Sequence, residues 1–293
     1  MRNVYGYILI AGASVTWGTM GILGKLAFEY GIDSTTLISL RLLISSTTIL
    51  IPVALLKRNL LHVGRSHLPQ IVVLGVFATA LQRIAYFHAV DLTTVTVAVI
   101  LFYTYPVLVT IYSSLYFKER ITYLTIFSIF AAVLGVALVV RTYDISHLAF
   151  SLSGVAAGVL SSVLFALFFL VTKGLRKSYT SWTLILWGDG VGALALVPLV
   201  LISLSEILGY PMELWLLILA IAWLPSLIAY LMYSHALKYV RSTEGSTLGV
   251  LEPLSAASFS AIILAESFEL LQVVGLISAL VGVALLFYAR TNH

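Results

Sequence analysis

Ten long apolar stretches, separated by short polar segments, are the feature of this sequence that most restricts its fold. Each stretch holds roughly 20 mostly apolar residues, the length that an α-helix needs to cross the hydrocarbon core of a bilayer. The connecting segments are too short to contain an inserted soluble domain. The stretches cover residues of about 4–28, 35–56, 68–90, 93–116, 122–140, 151–172, 180–204, 213–236, 243–265 and 269–289.

Composition indicates the solvent of these predicted helices. Hydrophobic residues make up 61% of the 293 residues and charged residues only 10%, whereas a soluble domain has about a quarter charged residues. The bilayer is therefore the expected solvent. The chain has no cysteine, which excludes disulfides, thiolate chemistry and cysteine-ligated metals. The first stretch lacks a cleavage-like site after its apolar core, so we expect a retained helix rather than a removed signal peptide.

The basic residues fall on one side of the ten predicted helices. Lys and Arg are enriched in the cytoplasmic loops of membrane proteins, and the sequence follows this rule when the N-terminus is placed in the cytoplasm. Arg141 is then the basic residue of the outer loops, and most acidic residues lie outside. We therefore expect a multi-pass protein of the cytoplasmic membrane with both termini inside the cell. The basic residues on the inner side are Arg2, Lys57, Arg58, Arg65, Lys118, Arg120, Lys173, Arg176, Lys177, Lys238, Arg241 and Arg290.

The second half of the chain repeats the first at an offset of 147 residues across three consecutive predicted helices. This register predicts two five-helix repeats, residues 1–145 and residues 146–293. Because five is odd, the second repeat enters the membrane from the opposite side, and inverted repeats of this kind suit alternating access. The aligned residues are Tyr86, His88 and Ala89 with Tyr233, His235 and Ala236; Pro106 with Pro253; Glu119 with Glu266; and, at an offset of 148, Gly6 with Gly154 and Lys25 with Lys173.

Short motifs follow a fixed order in the two halves. The first half contains WGTMGILGK (17–25), Arg41, AYFHAV (85–90), YFKER (116–120) and GVALVV (135–140). The second half contains YSHAL (233–237), LEPL (251–254), LAES (264–267) and GVALLF (282–287). In this combination and order, the chain resembles the EamA family of the drug/metabolite transporter superfamily over essentially its whole length.

The resemblance implies an all-α polytopic membrane protein with ten transmembrane helices in two inverted five-helix repeats. It implies a central cavity lined mainly by helices 1–4 and 6–9 and supported by helices 5 and 10. It also implies efflux or exchange of small metabolites across the cytoplasmic membrane, and it leaves the substrate open.

Four ionisable residues lie well inside the predicted spans: Arg41, Arg83, Asp189 and Glu252. Charged groups at this depth are costly, so each is a functional hypothesis. Arg41 and Asp189 occupy equivalent repeat positions, and they either contribute to a substrate site or form an ion pair that joins helices. Arg83 either meets a substrate carboxylate or phosphate or extends to the interface. Glu252 precedes Pro253, which frees backbone carbonyls, so we expect its carboxylate to hold a proton or a substrate ammonium group.

Aromatic residues add to this predicted site. We expect Trp17, Tyr103 and Tyr105 to face the cavity, the two tyrosines because they adjoin Pro106. Such a wall suits an apolar or aromatic amino-acid-like substrate, and the alternative role of these side chains is packing or interfacial anchoring. Pro106 and Pro253 are both predicted to kink their helices.

The repeated histidine motif predicts a pair of matched gates. His88 and His235, each preceded by a tyrosine two positions earlier (Tyr86 and Tyr233), occupy pseudo-symmetric positions near opposite mouths of the membrane. Histidine titrates near neutral pH, so one interpretation is a pair of gate residues. The other is a polar side chain near a helix C-terminus, where it interacts favourably with the helix dipole.

We expect a secondary transporter that works by alternating access and exports or exchanges amino acids or similar small metabolites. The alternative is a flippase of a lipid-linked or amphiphilic substrate; a channel is less favoured. An enzyme is disfavoured because Asp189 is the only aspartate at depth and no HExxH motif is present. No Walker motif is present either, which argues against ATP binding of that kind. We expect no cofactor, no metal and no nucleic-acid partner; the expected partners are the lipid bilayer and a zwitterionic or aromatic small molecule, with homo-oligomerisation left open.

Overall fold

The computed structural model describes residues 2–93, 95–119, 121–144, 151–263 and 269–291, which are helical and contain no β-strand. Two π-helical segments lie within this helical chain, Val73–Leu81 between α3 and α4 and Ala222–Ile228 between α11 and α12. The α-helices are α1 (Arg2–Phe28), α2 (Ser34–Leu56), α3 (Leu68–Val72), α4 (Gln82–Leu92), α5 (Val95–Phe102), α6 (Tyr105–Phe117), α7 (Tyr123–Val139), α8 (Leu152–Leu175), α9 (Ser181–Ile202), α10 (Leu204–Leu208), α11 (Met212–Ile221), α12 (Ala229–Ala236), α13 (Ser242–Leu248), α14 (Leu251–Ile263) and α15 (Leu270–Thr291).

Seven helical stretches in the described part of the chain are long and apolar enough to cross a membrane. The three remaining predicted spans coincide with α7, with α13 followed by α14, and with α15. The protein is therefore a polytopic, all-helical membrane protein. The seven stretches are Val4–Phe28, Ser34–Leu56, Arg65–Val90, Val97–Phe117, Leu152–Leu175, Ser181–Ile202 and Met212–Ala236, and shorter apolar helices cover Tyr123–Val139 and Leu270–Leu285.

Large apolar side chains cover the outer surface of several helices. Ile51, Leu55 and Leu56 of α2 are exposed, as are Phe127 and Phe130 of α7. In water, contiguous surfaces of this kind cause association or aggregation, whereas lipid chains are as apolar as leucine. This surface therefore suits a chain embedded in lipid.

The two prolines at equivalent positions of the repeat lie in the first turns of two helices. Pro106 is the second residue of α6, and Pro253 is the third residue of α14. The first N–H groups of a helix have no intrahelical partner, so proline is tolerated there. The predicted kinks at Pro106 and Pro253 are therefore replaced by interruptions of the helix just before each proline. Non-helical backbone at membrane depth is tolerated where it is buried in protein or lines a cavity.

Helices α7 and α15 pack closely against each other. The contact is tight because glycines lie on both helices: a Cβ atom on Gly135 would lie 2.6 Å from the carbonyl oxygen of Gly275, and one on Gly282 would lie 2.6 Å from that of Ser128. Small residues of this kind let membrane helices approach each other. These two helices correspond to helices 5 and 10 of the expected supporting pair.

We expect Gly135→Ala to lower the free energy of unfolding by about 1–3 kcal/mol, because the added methyl group overpacks the α7–α15 contact. Gly174→Ala in α8 is the matched control, since a Cβ atom there meets nothing within 4 Å. Thermal unfolding of the two purified variants in detergent measures the difference. Equal stability of the two variants would contradict the tight packing of α7 against α15.

Candidate substrate cavity

A cavity of about 710 Å³ lies between α1, α2, α4, α5 and α14. Its volume is within the range of about 300–1,000 Å³ that is typical of small-molecule sites. Lys25, Phe28, Val90 and Arg141 line one end. These residues lie where α1, α4 and α7 end, so this end is the mouth of the cavity.

Arg41 of α2 and Arg83 of α4 face this cavity together. Their side chains are buried, with 7% and 5% of each residue exposed. An NH group of Arg83 donates a hydrogen bond to the carbonyl oxygen of Thr79 at 2.6 Å, and the guanidinium lies 5.2 Å from the centre of the Tyr230 ring. Arg41 contacts the weakly accepting sulfur of Met20 at 3.5 Å. The Nε atoms of both arginines have no hydrogen-bond partner among the described residues.

Glu252 provides the negative charge of the cavity wall. It lies in the first turn of α14, where the helix dipole favours a carboxylate. The hydroxyl group of Tyr103 donates a hydrogen bond to this carboxylate, and Tyr103 also lines the cavity. The structure therefore brings together the predicted site residues Arg41, Arg83, Glu252 and Tyr103.

Asp189 lies outside this cavity, in a small adjacent pocket that it shares with Thr79 and Tyr230. It accepts a hydrogen bond from the hydroxyl group of Ser45 at 2.5 Å, and no ion pair with Arg41 is present in the described part of the chain. Because α2 packs against α9, the aspartate meets the residue one turn after Arg41. The interpretation of an Arg41–Asp189 ion pair is thus replaced by a Ser45–Asp189 hydrogen bond.

The predicted aromatic residues divide into two groups. Trp17 and Tyr86 line the cavity, and Trp17 packs against Tyr230 with ring centres 4.9 Å apart. Tyr105 and Tyr233 are fully buried in the core and do not line it. The hydroxyl group of Tyr105 donates instead to the carbonyl oxygen of Ser246 at 3.2 Å, so the predicted substrate contact of Tyr105 and the predicted gate at Tyr233 give way to packing roles.

The two histidines of the repeated motif do not line the cavity either. His88 is exposed on α4. His235, near the end of α12, packs against Tyr5 and Tyr239 with ring centres 6.2 Å and 5.5 Å apart. Both histidines lie towards the C-terminal ends of their helices, as expected of polar residues that interact with the helix dipole. The pair of gates at the two mouths stays a prediction.

Two residues that line the cavity, Gln82 and Tyr230, were not among the predicted site residues. Gln82 is buried and lines the cavity beside Arg83, and Tyr230 lies between the cavity and the pocket of Asp189. Gln82 could have been identified from the sequence, because a polar amide side chain within an apolar stretch indicates a position that faces a cavity or another helix. Tyr230 offered no such signal, since aromatic residues are plentiful in this chain.

Hydrogen bonds close the end of the bundle opposite the mouth. The Lys173 amino group donates to the carbonyl oxygens of Leu237, at 2.7 Å, and of Val240. Arg176 donates to the carbonyl oxygen of Ser234 at 2.9 Å; partial burial lowers the pKa of this guanidinium from its usual range, but arginine stays charged in proteins.

Glu119 adds a second group of contacts at the closed end. Its carboxylate accepts hydrogen bonds from the backbone N–H of Ser242 at 3.0 Å and from the hydroxyl group of Thr243 at 2.8 Å. These groups lie in the first turn of α13, so Glu119 ties the end of α6 to the start of α13. Its predicted repeat partner, Glu266, lies outside the described residues.

A polytopic helical protein with charged residues of both signs around a metabolite-sized cavity has the features of a membrane transport protein. The EamA-like transporter family matches residues 4–141 of the chain and, a second time, residues 152–288. The protein belongs to this family, and through it to the drug/metabolite transporter superfamily.

Relatives match the chain over nearly their whole length. An uncharacterized transporter of Archaeoglobus fulgidus is 27% identical over 280 residues, which cover 95% of each chain. An uncharacterized transporter of Clostridium kluyveri is 23% identical over 283 residues, covering 94% of this chain and 91% of the relative. A solved structure described only as a crystal structure of a protein is similar with a TM-score of 0.81 over 98% of both chains, at 14% identity. At that identity the likeness shows the fold alone.

We expect Glu119→Gln to lower the free energy of unfolding by about 1 kcal/mol, because the neutral amide loses charge-assisted hydrogen bonds to the start of α13. Glu206→Gln is the control, since Glu206 is exposed on α10. Thermal unfolding in detergent and hydrogen exchange of the α13 amides measure the effect. If both variants lose the same stability, Glu119 does not hold the closed end together.

Proposed function

We propose that the protein is a secondary transporter that works by alternating access and exports or exchanges amino acids or similar small metabolites. The observation that carries this proposal is a metabolite-sized cavity that is lined by charged residues of both signs and reaches a mouth at one end. At the other end, hydrogen bonds from Lys173, Arg176 and Glu119 close the bundle. A channel requires a path open at both ends, so this arrangement favours a transporter.

Two inverted repeats, residues 1–145 and residues 146–293, are part of the proposal. The π-helical segments support them. Val73–Leu81 maps onto residues 220–228 at the offset of 147, and the second π-helical segment covers Ala222–Ile228. π-Helical turns are rare, so their recurrence at equivalent positions is an independent indication of a structural repeat.

The interrupted helices agree with the same offset. Helix α5 ends at Phe102 and α13 ends at Leu248, while α6 begins at Tyr105 and α14 begins at Leu251. Each pair lies within one residue of the equivalent position. The interruption therefore belongs to the repeating unit, and it lies beside the cavity in both halves, at Tyr103 and at Glu252.

Helix packing has the same two-fold character. Helix α1 packs against α12 and α14, whereas α8 packs against α4 and α6; α2 pairs with α9, and α7 pairs with α15. Exchanging the two halves maps the contacts of α1 onto those of α8, and it maps the α2–α9 and α7–α15 contacts onto themselves. The boundary at residues 145 and 146 lies outside the described residues, so the support comes from the helices on either side of it.

The proposed location is the cell membrane, with both termini in the cytoplasm. The closed end carries Lys173 and Arg176, and the neighbouring loop carries Arg241. Cytoplasmic loops are rich in such residues, so we assign the closed end to the cytoplasm. With this orientation, the described conformation opens outward.

Glu252 is the proposed coupling or binding carboxylate. It lies in the cavity wall next to an interrupted helix, and a buried carboxylate of a membrane transporter holds either a proton or a cationic group of the substrate. The driving force in the proposal is a proton gradient or the gradient of the solute itself.

We expect Glu252→Gln to reduce the transport of radiolabelled L-amino acids, added one at a time to proteoliposomes, by at least about tenfold, equivalent to about 1.4 kcal/mol. The amide has almost the same shape but neither releases a proton nor pairs with an ammonium group. Glu213→Gln is the control, because Glu213 is exposed at the start of α11. Unchanged transport by the Glu252 variant at several pH values would remove the assigned role of this residue.

A further inference from the structure

We propose that Arg41 and Arg83 form one carboxylate site, so that the substrate is an α-amino carboxylate bound with its carboxylate between the two guanidinium groups. This inference rests on the proposed function and names the substrate class of the same cavity. Its first support is the position of the arginines, which come from α2 and α4 and line one cavity. Each is more than nine-tenths buried.

The two arginines lack an acidic partner in the described part of the chain. Among the described residues, no ion pair within 4.0 Å involves either arginine, and neither Nε atom has a hydrogen-bond partner. The positive charge of Arg83 acts against that of Arg41, and Asp189 attracts both from beyond ion-pair distance. Burying an unpaired charge is costly, and a carboxylate between two guanidinium groups relieves both the repulsion and the unsatisfied N–H donors, because arginine binds carboxylates with two parallel hydrogen bonds.

The acids of the interior are held by other groups. Asp189 is hydrogen bonded to Ser45 in the adjacent pocket, and Glu252 accepts a hydrogen bond from Tyr103. Neither carboxylate forms an ion pair with an arginine among the described residues, although Asp189 lies near enough to offset part of their charge. An external anion between the guanidinium groups would supply the direct partner that both lack.

The balance of charges favours a zwitterion over a phosphate dianion. Two cations, Arg41 and Arg83, are accompanied by two acids, the partly buried Glu252 and the buried Asp189. A zwitterion enters such a site without changing its net charge, and its ammonium group faces Glu252. A dianion would instead add repulsion with Glu252 in a medium of low dielectric constant, where like charges interact strongly.

The remaining wall suits an apolar side chain. Trp17, Tyr86, Phe87 and Phe102 line the same cavity as the charged residues. Arg83 is held over the Tyr230 ring, which fixes the direction of its guanidinium. An aromatic or large aliphatic amino acid therefore satisfies both parts of the cavity.

Four probes that differ only in their charged groups test this site on the purified full-length protein: L-phenylalanine, 3-phenylpropionate, 2-phenylethylamine and 2-phenylethyl phosphate. Isothermal calorimetry in detergent, together with the shift in thermal unfolding caused by a ligand of the folded state, measures binding. We expect L-phenylalanine to bind most tightly, 3-phenylpropionate to bind at least about tenfold more weakly, and the amine and the phosphate to bind more weakly still.

Substitutions test which side chains bind the carboxylate and which binds the ammonium group. Arg41→Gln and Arg83→Gln are expected to weaken L-phenylalanine binding at least tenfold, with the Lys variants intermediate and Arg58→Gln in the exposed loop unchanged. Glu252→Gln is expected to reduce L-phenylalanine to the level of 3-phenylpropionate and to leave 3-phenylpropionate unchanged. No carboxylate-dependent binding by the wild-type protein, or tighter binding of the amine or the phosphate, overturns the inference. Binding of L-phenylalanine without transport contradicts the proposed function and leaves this site intact.

A different observation supports a second inference: we infer that Lys173 and Lys25 are reciprocal latches of the two ends of the cavity. Lys173 donates to the carbonyl oxygens of Leu237 and Val240 at the closed end. The last carbonyl groups of a helix lack intrahelical partners, and cations are favourable there. The latch therefore joins α8 to the end of α12.

The equivalent groups are present at the open mouth. Lys25 aligns with Lys173, and Val90 and Thr93 align with Leu237 and Val240. One backbone hydrogen bond recurs at the two helix ends: the N–H of Thr93 bonds to the carbonyl oxygen of Ala89 at 3.0 Å, and the N–H of Val240 bonds to that of Ala236 at 3.2 Å. Lys25 and Val90 both line the mouth. When the mouth closes, Lys25 donates to the Val90 and Thr93 carbonyl oxygens.

The absence of cysteine from the chain makes a crosslinking test free of background. We expect a short bis-methanethiosulfonate reagent, which spans the length of a lysine side chain, to crosslink the pair Lys173→Cys with Leu237→Cys in proteoliposomes without substrate, because a direct disulfide requires a shorter Cβ–Cβ distance. The same reagent is expected to crosslink the pair Lys25→Cys with Val90→Cys more rapidly when L-phenylalanine is present on both sides, and each crosslink should stop transport until reductant is added. Single-cysteine variants are the controls.

Failure of the Lys25–Val90 pair to crosslink, with or without L-phenylalanine, overturns the reciprocal latch. Crosslinks that leave transport undiminished overturn it as well. Disulfide formation is observed by electrophoresis, so this result is separate from the transport measurement on which the proposed function depends.

Discussion

Burial of charge in a low-dielectric interior is the constraint on which the cavity of this protein depends. Arg41 and Arg83 come from different helices, are almost fully buried and face one space. In a lipid-embedded bundle such groups persist only where they have partners or reach water. The cavity meets this requirement, since both guanidinium groups line its open space, and Asp189 and Glu252 offset their charge from neighbouring positions.

The interrupted helices place polar backbone groups in the same low-dielectric interior, where they also need partners. The N–H and C=O groups released between α5 and α6, and between α13 and α14, must be satisfied within the protein. Tyr105 donates to the Ser246 carbonyl oxygen just before the second interruption, so one half of the protein satisfies the backbone of the other. Two helical halves thus share a polar centre, which is the arrangement expected where opposing motions of the halves alter access to one site.

Much of this organisation is readable from the sequence, for physical reasons. Apolar stretches of membrane length predict the polytopic helical fold, and four ionisable residues within them identify three that face the cavity: Arg41, Arg83 and Glu252. The free-energy cost of burying a charged side chain makes these residues good indicators of a functional site, because a charge rarely lies at this depth without a role.

The direction of individual side chains was not readable in the same way. Helices that are apolar on all sides have no pattern that separates the cavity side from the lipid side. The sequence therefore predicts Tyr105 to face the cavity and Tyr233 to act as a gate, although both lie in the core. A π-helical segment holds an extra residue per turn and rotates every later side chain, and none of the sequence signals located Val73–Leu81. The Ser45–Asp189 contact depends on how α2 packs against α9, and no sequence motif indicates that packing.

Side-specific labelling of a cysteine in the cavity wall tests the central claim of alternating access most directly. Ala257 lines the cavity, and Ala257→Cys would be the sole thiol of the chain. With a membrane-impermeant maleimide applied to oriented vesicles, the account predicts labelling from the extracellular side at rest. In a second variant, Lys25→Cys and Val90→Cys are added to the same chain and crosslinked to each other, which leaves the thiol at position 257 free. Labelling of this thiol is then expected from the cytoplasmic side. Labelling from only one side under both conditions would contradict the account.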